Sequence, residues 1–296
     1  MRKAGVIYGA LVFALMAEAA GACEFCTLHN GLGQYNNQGD FLSLTYRDTY
    51  ASTAVGGEAD PAGYNITIKT IQLYYQHAFS DNLKGVLSVP YYDKSAKAAE
   101  GSLGSASGIG DIIAMARYTV WSDFDRFFAV LAGVKLPTGS NKKEAETGAM
   151  SPDLVLGTGS ADPLLGAVYN HNIQSWNLSI DALYKISNTG YDGYRFGSVL
   201  NLGAGGYYKL HDNFNAGLGF AGEITAKDND SQAKVTGEAG TIANTGGTVV
   251  FAQPTIQYTN ANFYAEVAYQ APVYRSFNGT QIVVDKKLIF SLRYAF

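Results

Sequence analysis

Charged residues are scarce in this sequence, and so are histidine, cysteine and proline. Asp, Glu, Lys and Arg make up 16% of its 296 residues, against roughly 25% in soluble domains. The net charge is −4 and no basic block occurs, which argues against nucleic acid as a partner. None of the four histidines has a serine and an orienting group placed beside it as a nucleophile–base set would require, so the sequence gives no sign of an enzyme.

Long apolar runs are absent as well. After residue 22 no run approaches the ~18 residues that a membrane-spanning helix needs, and the mean hydropathy is −0.03. These two observations exclude a helical membrane protein. The sequence does contain 21 Tyr and 34 Gly, a composition that suits strands in which apolar and polar residues alternate.

The end of the chain shows this alternation most clearly. Between Leu288 and Phe296 every second residue is apolar or aromatic, whereas Lys287 and Arg293 lie in the other register. Successive side chains of a strand point to opposite faces. The segment therefore predicts a strand with one apolar face and one polar face, as in a transmembrane barrel.

The start of the chain has the features of a signal peptide. Arg2 and Lys3 precede an apolar stretch at residues 4–17, and Ala20-Gly21-Ala22 forms a small-x-small cleavage site. We therefore divide the chain into a signal peptide (1–22), a short periplasmic or lumenal segment (23–39) and a barrel (40–296).

The remainder falls into twelve amphipathic segments joined alternately by short Asn/Asp/Ser turns and by longer polar loops. Such a layout is typical of an outer-membrane barrel with short periplasmic turns and longer extracellular loops. The longer loops are expected at 94–107, 138–160, 187–194, 228–246 and 275–280. The predicted strands are 40–49, 64–79, 83–93, 109–121, 126–137, 161–171, 176–186, 195–210, 214–227, 247–259, 263–274 and 281–296.

Residue types also separate between the two faces of these segments. Apolar residues such as Leu73, Leu87, Ile180 and Val267 share one register, which we assign to lipid, because a mid-depth Arg or Lys there would cost roughly 2–4 kcal/mol. Next to the short turns this register carries aromatic residues, which prefer the membrane–water boundary. The sequence thus predicts an all-β, twelve-stranded antiparallel barrel in the outer membrane of a Gram-negative bacterium. We expect outer-membrane lipid around it, and expect its terminal Phe296 strand to engage the barrel assembly machinery.

Several phrases of the sequence resemble one family. SVPYYD (88–93), SGIGDIIAMARY (107–118), VKLPTGS (134–140), LGTGSADPLLGAVY (156–169), NLGAGGYYKL (201–210) and the ending 278–296 are similar to the MetA-pathway-of-phenol-degradation family. The resemblance covers roughly 64–296 and implies an outer-membrane channel for aromatic or other hydrophobic compounds, loosely akin to FadL-type transporters. Those carry a longer N-terminal plug, and only about seventeen residues lie between the predicted cleavage site and the first predicted strand here, so a large plug is not expected.

The register opposite to lipid supplies the candidate solute path. It contains both charged and apolar residues. The apolar ones either form a track for a hydrophobic solute or are packing that fills the interior of a narrow barrel. The charges either form a ligand site or are wall charges that are solvated or mutually neutralised. The candidate residues are Asp111, Ile113, Met115, Arg117, Lys135, Leu164, Val168, Asp181, Leu183, Glu223, Phe251, Glu266 and Arg293.

Three prolines lie inside predicted strands, at Pro90, Pro254 and Pro272. Proline cannot donate a ladder hydrogen bond and a closed barrel has no edge to hold it, so each is expected to mark a bulge or local opening. One interpretation is a lateral port into the membrane, and the other is a kink that only shapes the wall.

The N-terminal segment contains Cys23, Cys26 and His29 in a C-x2-C-x2-H spacing. Two cysteines in an exported chain suggest a disulfide or redox-active pair, the three side chains together could bind a metal ion, and Cys23 could carry a lipid anchor. No other cofactor is predicted.

Taken together, the sequence predicts a passive outer-membrane channel for small, hydrophobic or aromatic solutes. The alternative is a structural or scaffold barrel whose Cys-bearing N-terminus holds a metal or a redox partner in the periplasm.

Overall fold

The computed structural model describes residues 39–60, 63–98, 101–140, 154–233 and 239–296. The predicted signal peptide and the set Cys23, Cys26 and His29 lie outside the described residues. Within the described ranges, no helix is long and apolar enough to cross a membrane.

Twelve long antiparallel strands form the wall, as the alternation predicted. Two short strands, β2 (Glu58–Ala59) and β5 (Gly101–Ile109), extend it, and β10 (Tyr194–Arg195), β13 (Asn229–Asp230) and β14 (Gly240–Thr241) form a small separate sheet. The wall strands are β1 (Phe41–Val55), β3 (Asn65–Ala78), β4 (Leu83–Ala98), β6 (Ile112–Ser122), β7 (Arg126–Leu136), β8 (Asp162–Ile173), β9 (Trp176–Lys185), β11 (Val199–His211), β12 (Phe214–Thr225), β15 (Gly247–Asn260), β16 (Phe263–Phe277) and β17 (Thr280–Ala295).

The barrel closes because the last strand pairs with the first. β17 runs antiparallel to β1 from Phe41↔Ala295 to Val55↔Thr280, with one bulge between Tyr50 and Ala51. Closure gives every wall strand two neighbours, so no row of backbone N–H and C=O groups faces lipid unpaired.

Asp40 fastens the start of β1 to the end of β3. Its carboxylate accepts hydrogen bonds from the backbone N–H of Ala78 (2.8 Å) and contacts His77 Nδ1 at 2.7 Å. The Ala78 N–H, followed by the His77 side chain, holds the pKa of Asp40 below its usual value.

Three strands, β1, β4 and β16, are longer than predicted at the end opposite the short turns. β4 and β5 form a hairpin across most of the expected loop 94–107, and the expected loop at 275–280 is a tight turn between β16 and β17. The expectation of long polar loops at these two places is wrong. In these extensions Gly, Ser, Ala and Lys occur on both faces, so the alternation that marks a membrane strand is lost.

The two faces are as predicted. Leu73, Leu87, Ile180 and Val267 are exposed on the outside, as are the aromatic residues beside the short turns. Those aromatic residues are Phe79, Tyr118, Trp176, Tyr208, Phe214, Phe263, Tyr294 and Phe296. A closed barrel with such an exterior requires lipid around it.

A charge placed on this outer face should cost stability according to its depth. Ile180 lies in the middle of β9 and Leu210 near the short-turn end of β11, and both are on the outer face, 60% and 62% exposed. We expect Ile180→Arg to lower the free energy of unfolding by about 2–4 kcal/mol and Leu210→Arg by about 0–1 kcal/mol. Urea unfolding in lipid vesicles measures both, and equal losses would contradict the membrane placement.

Candidate functional site

The inner face of the barrel holds the predicted path residues. Twelve of the thirteen are buried, and Asp181 is half-buried. The apolar ones do not form one continuous track, because they divide between two clusters. Ile113, Met115, Leu164, Val168 and Leu183 belong to one cluster and Phe251 to the other.

We call the first the turn-side cluster, because it lies nearer the short turns. It consists of Phe41, Tyr74, Val86, Ile113, Met115, Phe127, Ala129, Leu131, Leu164, Val168 and Leu183. The second, the loop-side cluster, consists of Ala51, Ile66, Ile68, Tyr92, Ala96, Ala106, Leu154, Leu156, Ala221, Val249, Phe251, Ile282 and Val284.

The loop-side cluster contains a segment that the sequence analysis assigned to a polar loop. Leu154, Val155 and Leu156 are buried, and Lys94 Nζ donates a hydrogen bond to the carbonyl of Val155 at 2.7 Å. The end of the predicted loop 138–160 therefore turns inward and occupies the lumen. The apolar run Leu-Val-Leu within a Gly- and Ser-rich stretch was the signal that could have indicated this burial.

A buried ionic cluster holds this segment, and we name it the Lys135 cluster: Asp111, Lys135, Thr158, Ser160 and Asp162. Lys135 Nζ lies within ion-pair distance of Asp111 and 3.1 Å from Asp162, and it also donates to Thr158 Oγ1 and to the Ser160 carbonyl. Asp111 lies just before β6 and Asp162 begins β8, so Lys135 of β7 joins the ends of the strands on either side of it.

Three of the family-like phrases meet in this cluster. Asp111 of SGIGDIIAMARY accepts hydrogen bonds from the backbone N–H of Gly139, in VKLPTGS, and of Thr158, in LGTGSADP, both at 2.9 Å. Thr138 Oγ1 accepts the N–H of Ile112 and donates to the carbonyl of Gly110. The phrases are thus distant in sequence but form one structural unit.

Gly157 is required by the tightness of this unit. A Cβ atom at this position would lie 2.3 Å from Asp111 Oδ1 and 2.7 Å from the Gly139 carbonyl oxygen. Any side chain here would displace the segment from its place beside Asp111.

Charged residues form a second group between the loop-side cluster and the middle of the barrel. Glu223 interacts electrostatically with Lys287, Lys185 and Arg47. Lys287 Nζ also lies 4.1 Å from the centre of the Phe251 ring, a cation–π contact. These charges have partners inside the lumen, which agrees with mutually neutralised wall charges.

Three buried cations, Lys84, Arg117 and Arg293, lie at the turn-side end of the lumen. Arg293 lies over the rings of Phe41 and Tyr264, at 4.4 and 5.3 Å from their centres. The hydroxyl of Tyr264 donates to Glu266, which also accepts from Gln257 Nε2 at 3.1 Å.

Arg117 is paired in register with Lys84, which the sequence analysis did not select. The strand alternation was a sufficient signal, since Lys84 lies in the register opposite to the outward-facing Leu87. A polar pocket of about 260 Å³ also opens at this end of the barrel, and Asn177, Tyr207 and Gln257 line it.

The three prolines differ in their effect on pairing. Pro90 lies where the pairing partner of β4 changes from β6 to β5. The carbonyl of Pro90 accepts a hydrogen bond from the N–H of Gly110 at 2.9 Å. Beside Pro272 the β15–β16 register shifts between Val250 and Phe251. At Pro254 the β15–β16 ladder passes from Ala252↔Ala271 to Thr255↔Ala268, so the register is kept but two pairs are skipped: the structure has a local opening there and not a bulge.

Among the described residues, no three His, Cys, Asp or Glu side chains are grouped so that they could hold a metal ion.

The family model described as "Putative MetA-pathway of phenol degradation" matches residues 46–281. The chain belongs to this family. The match covers most of the barrel and includes every phrase of the Lys135 cluster. A search of curated proteins finds no match.

Two solved structures show the same fold. The COG4313 outer membrane channel from Pseudomonas putida F1 is 16% identical, with a TM-score of 0.70, and the alignment covers 90% of this chain and 98% of that one. The translocator domain of the autotransporter NalP from Neisseria meningitidis is 11% identical, with a TM-score of 0.54, 92% of this chain and 93% of that one being covered. The family member described here is an outer-membrane β-barrel of the Gram-negative type.

Proposed function

We propose that this family member is a passive outer-membrane channel for small hydrophobic or aromatic solutes. The observation that carries the proposal is a closed barrel whose inner face bears two extended apolar clusters. A water-filled porin would line its lumen with polar groups, whereas small-molecule sites are largely apolar with a few placed polar groups. The fold shared with the Pseudomonas putida outer membrane channel supports a channel role.

We place the short turns on the periplasmic side and the extended strand ends outside the cell. An even number of strands then puts both ends of the barrel in the periplasm. Phe296 directly follows β17, continues its outward-facing register and is exposed. We propose that the barrel assembly machinery recognises this end of the chain. Outer-membrane lipid and the solute are the other expected partners.

Uptake by cells with an intact lipopolysaccharide layer tests the channel proposal. Cells that make the protein should take up radiolabelled toluene faster than cells that lack it. Ala129→Phe, which adds a ring inside the turn-side cluster, should remove most of the gain, while Val130→Phe, on the outer face of the same strand, should not. A difference in gel migration between heated and unheated samples checks that both variants fold. Equal uptake with and without the protein would refute the proposal.

A sealed, structural barrel is the second candidate, and one observation favours it. Leu154, Val155 and Leu156 occupy the lumen beside the Lys135 cluster. Ion current through the protein in planar bilayers separates the two, because a sealed barrel passes none.

The strand break at Pro90 supports a further proposal, that a solute leaves sideways through the wall. Val89 and Pro90 face a three-residue stretch between Ile109 and Ile113, where the ladder is interrupted. Pro90→Val, which allows the missing N–H to pair, should slow toluene uptake if this break is the exit. Unchanged uptake in a folded variant would show that the proline only shapes the wall.

A further inference from the structure

Two buried cations lie side by side on the inner wall near the short turns. Lys84 of β4 and Arg117 of β6 are directly paired in register and are 3% and 4% exposed. Like charges directly opposite each other in a sheet are destabilising, and burying a charge costs free energy unless it is paired. Their position therefore needs a compensating partner.

The described part of the chain supplies no such partner. Neither side chain makes an ion pair with a carboxylate there, and Arg117 Nε is buried without a hydrogen-bond acceptor. The charge that acts most on Arg117 is another cation, Arg293, and Lys84 interacts with Arg117 itself and with Asp81, which is exposed in the adjacent turn.

Other cations of the inner wall are placed differently. Lys135 lies between two carboxylates, Arg275 donates to Asp285 at 2.9 Å, and Lys287 interacts with Glu223. The Lys84–Arg117 pair differs from these three cations. Together with Arg293, which lies over the rings of Phe41 and Tyr264, it makes this end of the inner wall positive.

Apolar side chains adjoin the pair on the loop side. Val86 is the next inward-facing residue from Lys84, Met115 is the next from Arg117, and the two are paired with each other. Leu131 is the partner of Arg117 on β7. All three belong to the turn-side cluster. An anionic group held by the cations would place an attached apolar body against this cluster.

We propose that the Lys84–Arg117 pair binds the carboxylate of an amphipathic organic acid, whose aromatic or aliphatic body lies on the turn-side cluster. The inference rests on the proposed channel function and names its substrate class: apolar acids, taken in preference to neutral compounds of the same shape. The Arg guanidinium offers a planar fork that matches a carboxylate, and the ammonium adds a second donor.

Calorimetric titration of the full-length, detergent-solubilised protein tests the proposal with three probes in matched detergent. 1-Naphthoate should bind, 1-naphthylmethanol should bind at least tenfold more weakly, and acetate should not bind at the same concentrations. Replacing both cations, in Lys84→Gln/Arg117→Gln, should weaken naphthoate binding by about tenfold to a hundredfold, because charge-assisted hydrogen bonds are lost. The alcohol should be unaffected.

Two further variants keep the result interpretable. Lys209→Gln removes an exposed cation at the same end of the barrel, where it pairs with Asp212, and should leave naphthoate binding unchanged. Lys84→Glu supplies a carboxylate beside Arg117 from the chain itself and should abolish naphthoate binding in a barrel that still folds.

The outcomes separate this inference from the channel proposal. Equal binding of naphthoate and naphthylmethanol, binding of acetate as tight as that of naphthoate, or full binding by the double Gln variant would each overturn the inference. Toluene uptake by cells is measured independently, so loss of that uptake refutes the channel while these titrations refute only the acid site.

Discussion

Replacing Lys135 with methionine is expected to lower the free energy of unfolding by about 3–5 kcal/mol, the usual cost of removing one partner from a buried ion pair. Lys135 is fully buried between Asp111 and Asp162, and both carboxylates would remain inside without a cation. The same change removes the donors to Thr158 and Ser160. Urea unfolding of the folded barrel in vesicles, followed by tryptophan fluorescence, measures the loss.

A compensated variant provides the control for this prediction. Asp111→Asn/Lys135→Met/Asp162→Asn removes all three charges, so no carboxylate is left uncompensated. It should recover a large part of the stability lost in Lys135→Met, since replacing a whole buried ionic group is often close to neutral. If Lys135→Met alone is as stable as the natural protein, the Lys135 cluster does not hold the wall in the way described.

The wall of the barrel was predictable because its strands are amphipathic over their membrane-spanning length. In the last strand, Leu288 to Phe296 alternate with Lys287 and Arg293, and this single pattern determines the element, its register and its two faces. A one-residue shift in strand register is costly, because it would turn the polar and charged side chains towards lipid and the apolar ones towards the lumen. Family membership, also predicted from local phrases, is confirmed by the match to residues 46–281.

The lumen was less predictable, because what fills it does not follow strand periodicity. Leu154 and Leu156 belong to a connection, and their burial depends on Asp111 and Lys135, which are more than fifteen residues away in sequence. Alternation could show that Asp111, Lys135 and Asp162 face inward. It could not show that they converge, because that depends on the register between neighbouring strands. Lys135 of β7 is paired with Asp162 of β8 and with Ile113 of β6, two residues after Asp111, and a long connection separates β7 from β8, so local sequence does not set their register.

The extended strand ends were missed for a related reason. Outside the membrane the outer face of a strand meets water instead of lipid, so that face no longer has to be apolar and Gly, Ser and Ala occur on either side. β5, with the sequence GSLGSASGI, pairs with β4 although it has no apolar face of its own. Backbone pairing with an already formed strand is enough to fix it.

Removing the apolar anchors of the inward segment should change the lumen itself. Leu154 and Leu156 are buried against the loop-side cluster, and truncating a buried leucine costs roughly 2–5 kcal/mol in local packing. With Leu154→Ser/Leu156→Ser, two polar side chains would replace this contact, and we expect residues 154–156 to leave the lumen. Single-channel conductance in planar bilayers should then rise, while the wall, which is held by its own strand pairing, stays folded.

The matched control keeps the segment apolar. Leu154→Met/Leu156→Met changes shape but not hydrophobic character, and such swaps usually cost under about 1.5 kcal/mol, so conductance should stay at the natural value. Neither variant changes Lys94 or Val155, whose side chain and carbonyl form the other contact of this segment, so the two variants differ only in the residues that replace the leucines. If the serine variant conducts no better than the methionine variant, then the apolar contacts of Leu154 and Leu156 do not restrict the path.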